Sequence, residues 1–246
     1  MHARFYAPEA REVGSEIALP EDEAQHLSRV LRLGPGDPLA VFNGDGDEFG
    51  AVVAAISKAR ITVRLVSRAT AQAELSIALT LAQAVLKGDK MDDVVRDAVM
   101  LGIATVQPLV TARSEVTLAA LTRGARRERW HRIAVSSAKQ CGRALVPAIA
   151  PPIMFDGPTS LAHLPAPLFI LVEPGALERP GSVADVSDTA PAAATLVVGP
   201  EGGWEAAELA RCASHVHPLG LGALTLRADA AALVATAALL TRWKLL

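Results

Sequence analysis

The spacing of apolar and polar positions divides the chain into two regimes. Up to about residue 70, short apolar runs and period-two alternation predict strands at Arg4-Phe5-Tyr6, 39–42, 49–53 and 61–66. Asn43-Gly44-Asp45-Gly46-Asp47 supplies turn residues between the second and third of these. One helix over 20–32 interrupts them, with acids at its start and arginines at its end. Leu27, Val30 and Leu31 share its predicted apolar face, while Arg29 and Arg32 point elsewhere. Residues 67–74 are polar without a period and read as a linker.

Beyond residue 75, runs suited to buried strands alternate with helical patterns. Strands are predicted at 77–85, 105–110, 169–174 and 196–198. Helices are predicted from Asp89, an N-cap, to about Leu101, and over 118–141, 204–212 and 229–243. Met91, Val94, Val95, Ala98 and Leu101 form the apolar stripe of the first. Residues 175–194, rich in Pro, Ala, Ser and Asp, read as loop with room for one helix. The alternation predicts an α/β fold with a largely parallel sheet.

At 246 residues the chain accommodates one large domain or two smaller ones. With 51% hydrophobic but only 4% aromatic residues, its core must be built mostly from alanine and aliphatic side chains. A net charge of −2 removes any global attraction to nucleic acid, so a polyanion would have to meet a local patch. Arg123, Arg126, Arg127, Arg129, Arg132, Lys139 and Arg143, set against the single acid Glu128, supply one. Cys141 and Cys212 lack metal-type pairing, which predicts neither disulfide nor metal site and suits a reducing cytoplasm. The amino terminus lacks an apolar signal core and the longest apolar run, 230–240, is too short to cross a bilayer, so a soluble protein without a membrane partner is expected.

The candidate chemistry lies near the carboxyl terminus. Gly199-Pro200-Glu201-Gly202-Gly203 follows a predicted buried strand, and Leu219-Gly220-Leu221-Gly222-Ala223-Leu224 forms a second glycine loop before Arg227 and the last helix. Such loops let backbone approach a ligand closely. Neither is a dinucleotide fingerprint, and no Gly-Lys-Ser/Thr follows as in a phosphate-binding loop. Glu173, closing the strand at 169–174, is a further ligand-facing candidate.

Lys87-Gly88-Asp89-Lys90-Met91-Asp92, Lys139-Gln140-Cys141-Gly142-Arg143 with Pro147, Gly199-Pro200-Glu201-Gly202-Gly203, and Leu219-Gly220 with Leu224, Leu226 and Arg227 occur in that order. Together with Arg4-Phe5-Tyr6 and His26-Leu27 followed by Val30-Leu31-Arg32, they resemble the RsmE-type 16S ribosomal RNA uridine-N3 methyltransferases of the SPOUT class. The resemblance spans nearly the whole chain. It implies a PUA-like RNA-binding β-barrel over residues 1–70 and a SPOUT methyltransferase domain over 75–246, whose last strands and helix form a trefoil knot. It also implies a homodimer through the SPOUT domain, acting on 16S ribosomal RNA of the small ribosomal subunit. S-adenosyl-L-methionine would be held in the knot by Val172, Gly199, Pro200, Glu201, Gly202, Leu219, Gly220, Leu224 and Leu226. Where the family often has Arg-Thr-Glu-Thr-Ala, this chain has Arg227-Ala228-Asp229-Ala230-Ala231.

Uridine N3 becomes nucleophilic only as its proton leaves, and a cation beside the neighbouring carbonyl oxygens favours the anion. Arg227 is the first candidate for that role, with Asp229 or Glu201 as base or orienter. The competing expectation for Arg227 is an ion pair with Asp229 or Glu201. Arg4, Arg32, Arg113, Lys139 and Arg143 are the candidate RNA contacts. The final helix is apolar on more faces than a solvent-covered helix allows, so part of it is assigned to the dimer contact. The rival readings are another SPOUT RNA methyltransferase with a different target nucleotide and a non-catalytic, RNA-binding ribosome assembly factor.

Overall fold

The computed structural model describes residues 3–57 and 60–246 and divides into two compact units. The first comprises residues 1–74 together with 135–146. Its elements are β1 (Arg4–Tyr6), β2 (Glu16–Ala18), α1 (Glu21–Gln25), β3 (Pro38–Phe42), β4 (Glu48–Ile56) and β5 (Ile61–Ala69). The strands pair in the order β1-β3-β4-β5-β2; only β1 and β3 run parallel. Period-two alternation in β4 and β5 puts Phe49, Val63 and Leu65 on the buried face, where they meet Phe5, Leu27 and Val41. Burying side chains of this size contributes roughly 1.5–3 kcal/mol each.

Two expectations need correction here. Residues 67–69 belong to β5 and pair with β4, so the polar stretch is in part strand. The helix expected over 20–32 is α1 followed by a π-helical turn, His26–Leu31, in which the N–H of Arg32 reaches back to the carbonyl of Leu27. The wider winding turns each residue through a smaller angle than a 3.6-residue period does, so positions three apart no longer line up. Leu27 is therefore fully buried while Val30 is 65% exposed and Leu31 is also exposed, and the three do not share a face.

The second unit comprises residues 75–134 and 147–246. The expected continuous domain from residue 75 is thus interrupted by residues 135–146. In chain order it contains β6 (Ala78–Ala84), α2 (Lys90–Met100), β7 (Thr105–Val110) and α3 (Leu118–Arg123), then α4 (Arg126–Cys141), which passes into the first unit at Val135. β8 (Ala148–Ile149), β9 (Ile153–Met154), α5 (Pro158–Leu161), β10 (Leu168–Leu171) and β11 (Gly181–Ser182) follow. The chain ends with β12 (Ala193–Val198), α6 (Ala206–Cys212), β13 (His217–Gly220) and α7 (Ala228–Arg242). The helix expected over 118–141 breaks at Gly124.

The strands of this unit form one sheet in the order β11-β13-β10-β12-β6-β7-β8, with β9 also on β7, and every pairing is parallel. β6 and β12, at its centre, are buried on both faces, which is why they read as unbroken apolar runs. Parallel pairing brings the carboxyl ends of β6, β7, β10, β12 and β13 to one edge. β12 and β13 flank β10 on opposite sides, so the loops leaving them converge on its end.

Candidate active site

Along that edge lies a cavity of about 670 Å³. Its walls come from the end of β10 (Leu171 to Pro174), the loop after β12 (Val198 to Trp204), the segment before and into α7 (Leu221, Leu224 to Ala228, Ala231), and Lys90 at the start of α2. Of the residues expected around a cofactor, Val172, Gly199, Pro200, Glu201, Gly202, Leu224 and Leu226 line it, and so does Arg227. Leu219 and Gly220 do not. Leu219 is buried in β13, where its carbonyl accepts the N–H of Val172 at 3.0 Å, so it fixes the wall from behind.

The first glycine loop is built around Trp204. Its indole N–H donates to the carbonyl of Leu171 at 2.7 Å, and its ring packs on Gly199, where a Cβ would lie 3.0 Å from the ring. Gly203 has φ +68°, and a Cβ there would overlap the carboxylate of Glu173. Arg113 donates to the carbonyl of Gly202 at 2.7 Å and so braces the same loop. α6 starts at Ala206 with Glu205 as its N-cap, later than expected, because Trp204 is taken up by this packing. Glu208 caps α6 by accepting the N–H of Glu205 and also accepts that of Ala112, at 2.9 and 3.0 Å.

Glu201 accepts from the backbone N–H of Lys87 at 3.1 Å and from the ammonium of Lys90 at 2.9 Å. Burial alone would raise its carboxyl, but the hydrogen bonds from Lys90, its own N–H and that of Lys87, with the Lys90 charge, outweigh burial and hold it below the usual value. Arg227 forks onto Asp229, Nε at 3.1 Å and Nη2 at 2.8 Å. Asp229 is likewise lowered: burial raises it, and the Arg227 bond, two backbone N–H groups and the Arg227 charge overcome that. Neither carboxylate is pushed toward neutrality, as a general base would ideally be. Both are better suited to holding cations in place. Lys90 went unassigned from sequence, although it sits in the quoted motif at the exit of β6.

The cavity can be compared with the needs of S-adenosylmethionine, a ligand with a purine, a sulfonium and an amino-acid end. The cavity's volume is in the range of small-molecule sites. Leu171, Val172, Val198 and Leu226 offer an apolar wall for a purine, and bare backbone at Gly199, Gly202 and Gly203 permits close approach. Lys90, Glu173, Glu201 and Arg227 bring both signs of charge to its walls, as a zwitterionic ligand requires. These features fit.

The expected RNA contacts divide into two groups. In the first unit, Arg4 holds Glu48 through Nε and Nη2 at 3.1 and 2.8 Å and donates to the carbonyls of Ala138, Lys139, Gly142 and Arg143. Its guanidinium lies 4.4 Å from the centre of the Phe42 ring. Arg4 thus caps the carboxyl end of α4 with every N–H in use. Lys139 pairs with buried Glu23 at 2.7 Å, and buried Arg143 with Glu74 at 2.6 Å. These three cations are committed inside the protein. Arg32 and Arg113 are exposed. On α3 and α4, Arg129 pairs with Asp89 and Asp92, which leaves Asp89 without the side-chain capping bond expected of it. Arg123, Arg126, Arg127 and Arg132 are exposed and in no ion pair among the described residues.

Residues 73–240 match the RNA methyltransferase domain family and residues 19–66 the RNA methyltransferase PUA domain family. The chain is 32% identical to ribosomal RNA small subunit methyltransferase E of Synechocystis sp., over 92% of this chain and 73% of that protein. It is 31% identical to the same-named protein of Rickettsia conorii, over 95% of this chain and 93% of that protein. The crystal structure of ribosomal RNA small subunit methyltransferase E from Neisseria gonorrhoeae bound to S-adenosyl methionine superposes with a TM-score of 0.86 at 30% identity, over 99% of this chain and 98% of that one.

Proposed function

This chain belongs to the ribosomal RNA small subunit methyltransferase E family, and we propose that it transfers a methyl group from S-adenosylmethionine to N3 of a uridine in 16S ribosomal RNA of the small ribosomal subunit. The observation that carries the reading is the cavity at the strand ends, where both glycine loops, Lys90, Glu173 and Arg227 converge. When bound, S-adenosylmethionine supplies an electrophilic methyl on a sulfonium, which calls for no metal. Val172, Gly199, Gly202 and Leu226 would enclose it. The chain's own task is alignment and electrostatics.

Arg227 is the residue of the cavity best suited to face a uridine carbonyl. Its side chain is 70% exposed, and Asp229 holds the guanidinium in one plane. A planar cation of this kind stabilises the anion left when the N3 proton departs. Glu201 and Asp229, both held below the usual carboxylate value, are suited to orienting Lys90 and Arg227.

Three further features belong to the same proposal. The trefoil threading is supported by the flanking of β10 by β12 and β13, which obliges the chain to cross β10 between them. A homodimer through α7 is supported by Leu233 and Val234, 39% and 43% exposed on a helix whose other large apolar side chains, Leu239 and Leu240, are buried. The cytoplasm suits the free thiols of Cys141 and Cys212.

The test is incubation of the purified protein with labelled S-adenosylmethionine and small ribosomal subunits from cells lacking the activity, followed by identification of the labelled nucleoside. Label in 3-methyluridine is expected. Label in any other nucleoside sinks the base assignment.

A further inference from the structure

Four ionisable side chains line the cavity: Lys90, Glu173, Glu201 and Arg227. Each of the two cations has a carboxylate of its own, Lys90 through Glu201 at 2.9 Å and Arg227 through Asp229 at 2.8 Å. Glu173 is left over. Its carboxylate has no hydrogen-bond donor and no ion pair among the described residues, although the side chain is half-buried. It rests against Gly203, where a Cβ would overlap it. A partly desolvated carboxylate without a partner is unfavourable by itself and becomes favourable beside a cation.

The cavity's walls therefore carry one uncompensated negative charge, placed against the first glycine loop. A cationic ligand relieves it and a neutral one does not. S-adenosylmethionine carries a sulfonium, an ammonium and a carboxylate. S-adenosylhomocysteine, which remains after the methyl has left, has a neutral thioether in place of the sulfonium and is otherwise identical.

We infer that Glu173 is the specificity-determining residue by which this site prefers the charged cofactor to its spent, neutral product. The inference rests on the reading of the cavity as the S-adenosylmethionine site. Attraction to Glu173 falls as the sulfur loses its charge, so the same carboxylate that favours loading also favours release after transfer.

The experiment is titration calorimetry of the purified full-length protein with S-adenosylmethionine and with S-adenosylhomocysteine, for the wild type, Glu173→Gln and Glu173→Asp. One partly screened charge at close range is worth about a ten-fold change in affinity. Glu173→Gln is expected to weaken S-adenosylmethionine by about that factor and leave S-adenosylhomocysteine nearly unchanged, with Glu173→Asp keeping part of the preference. Equal weakening of both ligands overturns the inference and makes Glu173 a support for the loop or a contact to the shared ammonium. An unchanged ratio with a shifted pH–rate profile overturns it in favour of a role at the uridine proton. Wild-type protein that binds neither ligand sinks the cofactor reading itself, a failure distinct from the other two. If the variants fail to fold, the wild type decides through an analogue with an amine in place of the methylsulfonium. Binding as weak as that of S-adenosylhomocysteine then overturns the assignment, and binding close to that of S-adenosylmethionine upholds it.

Discussion

The indole N–H of Trp204 donates to the carbonyl of Leu171 at 2.7 Å, tying the loop after β12 to the end of β10. Both residues are buried, so this bond sets the width of the cavity between two strands that are neighbours in the sheet. Trp204→Phe leaves the carbonyl without a donor and should cost about 1–2 kcal/mol of stability. Gly199→Ala sets a methyl 3.0 Å from the same ring and should cost about 1–3 kcal/mol while abolishing S-adenosylmethionine binding. Urea melts and calorimetry check both. Full cofactor affinity in Gly199→Ala contradicts the close-approach role of that glycine.

Glu201 links the first glycine loop to Lys90 at 2.9 Å. Its folded-state carboxyl lies below the usual value of 4.5, so its contribution is complete above that value and is lost as pH falls through the folded one. The melting-temperature gap between wild type and Glu201→Gln should be widest near neutrality and close on acidification. A gap that widens in acid runs against this sign.

Arg4 is a structural cation. Removing it takes a donor from Glu48 and from four carbonyls at the end of α4. Arg4→Ala should cost about 2–4 kcal/mol in denaturant unfolding. Its RNA affinity, measured where both proteins are folded, should be unchanged; a large loss of affinity with stability intact would return Arg4 to the RNA interface.

Arg123, Arg126, Arg127 and Arg132 present unpaired charge on α3 and α4. If they meet phosphates, replacing all four by alanine should lower the slope of log affinity against log salt by roughly three, at about 0.7–0.9 per contact. Fluorescence anisotropy over a salt series measures it. An unaltered slope places the RNA elsewhere.

Arg227→Ala should reduce the turnover of methyl transfer by about 10²–10³-fold, the usual effect of removing one preorganised charge stabiliser. S-adenosylmethionine affinity should change little, because Arg227 is already neutralised by Asp229. A variant that loses cofactor binding and turnover in proportion would mark the pair as a brace for the segment before α7.

The strand and helix pattern of the second unit was legible because buried parallel strands and amphipathic helices leave local periodicity. The two glycine loops and Arg227 were legible because particular residue types recur at strand ends. The wide winding at His26–Leu31 was not, since the apolar pattern of Leu27, Val30 and Leu31 fits an ordinary helix equally well.

The sequence by itself determined the class of fold, the place of the site and the family, all of which depend on local pattern and on ordered motifs. Only the tertiary structure decided which charges are available. Arg4, Lys139 and Arg143 read as free cations until folding brings Glu48, Glu23 and Glu74 beside them, from 44, 116 and 69 residues away. Glu173 reads as one acid among many until Lys90 and Arg227 are found paired with others. Charge pairing falls off with distance in space, and distance along the chain carries almost none of that information.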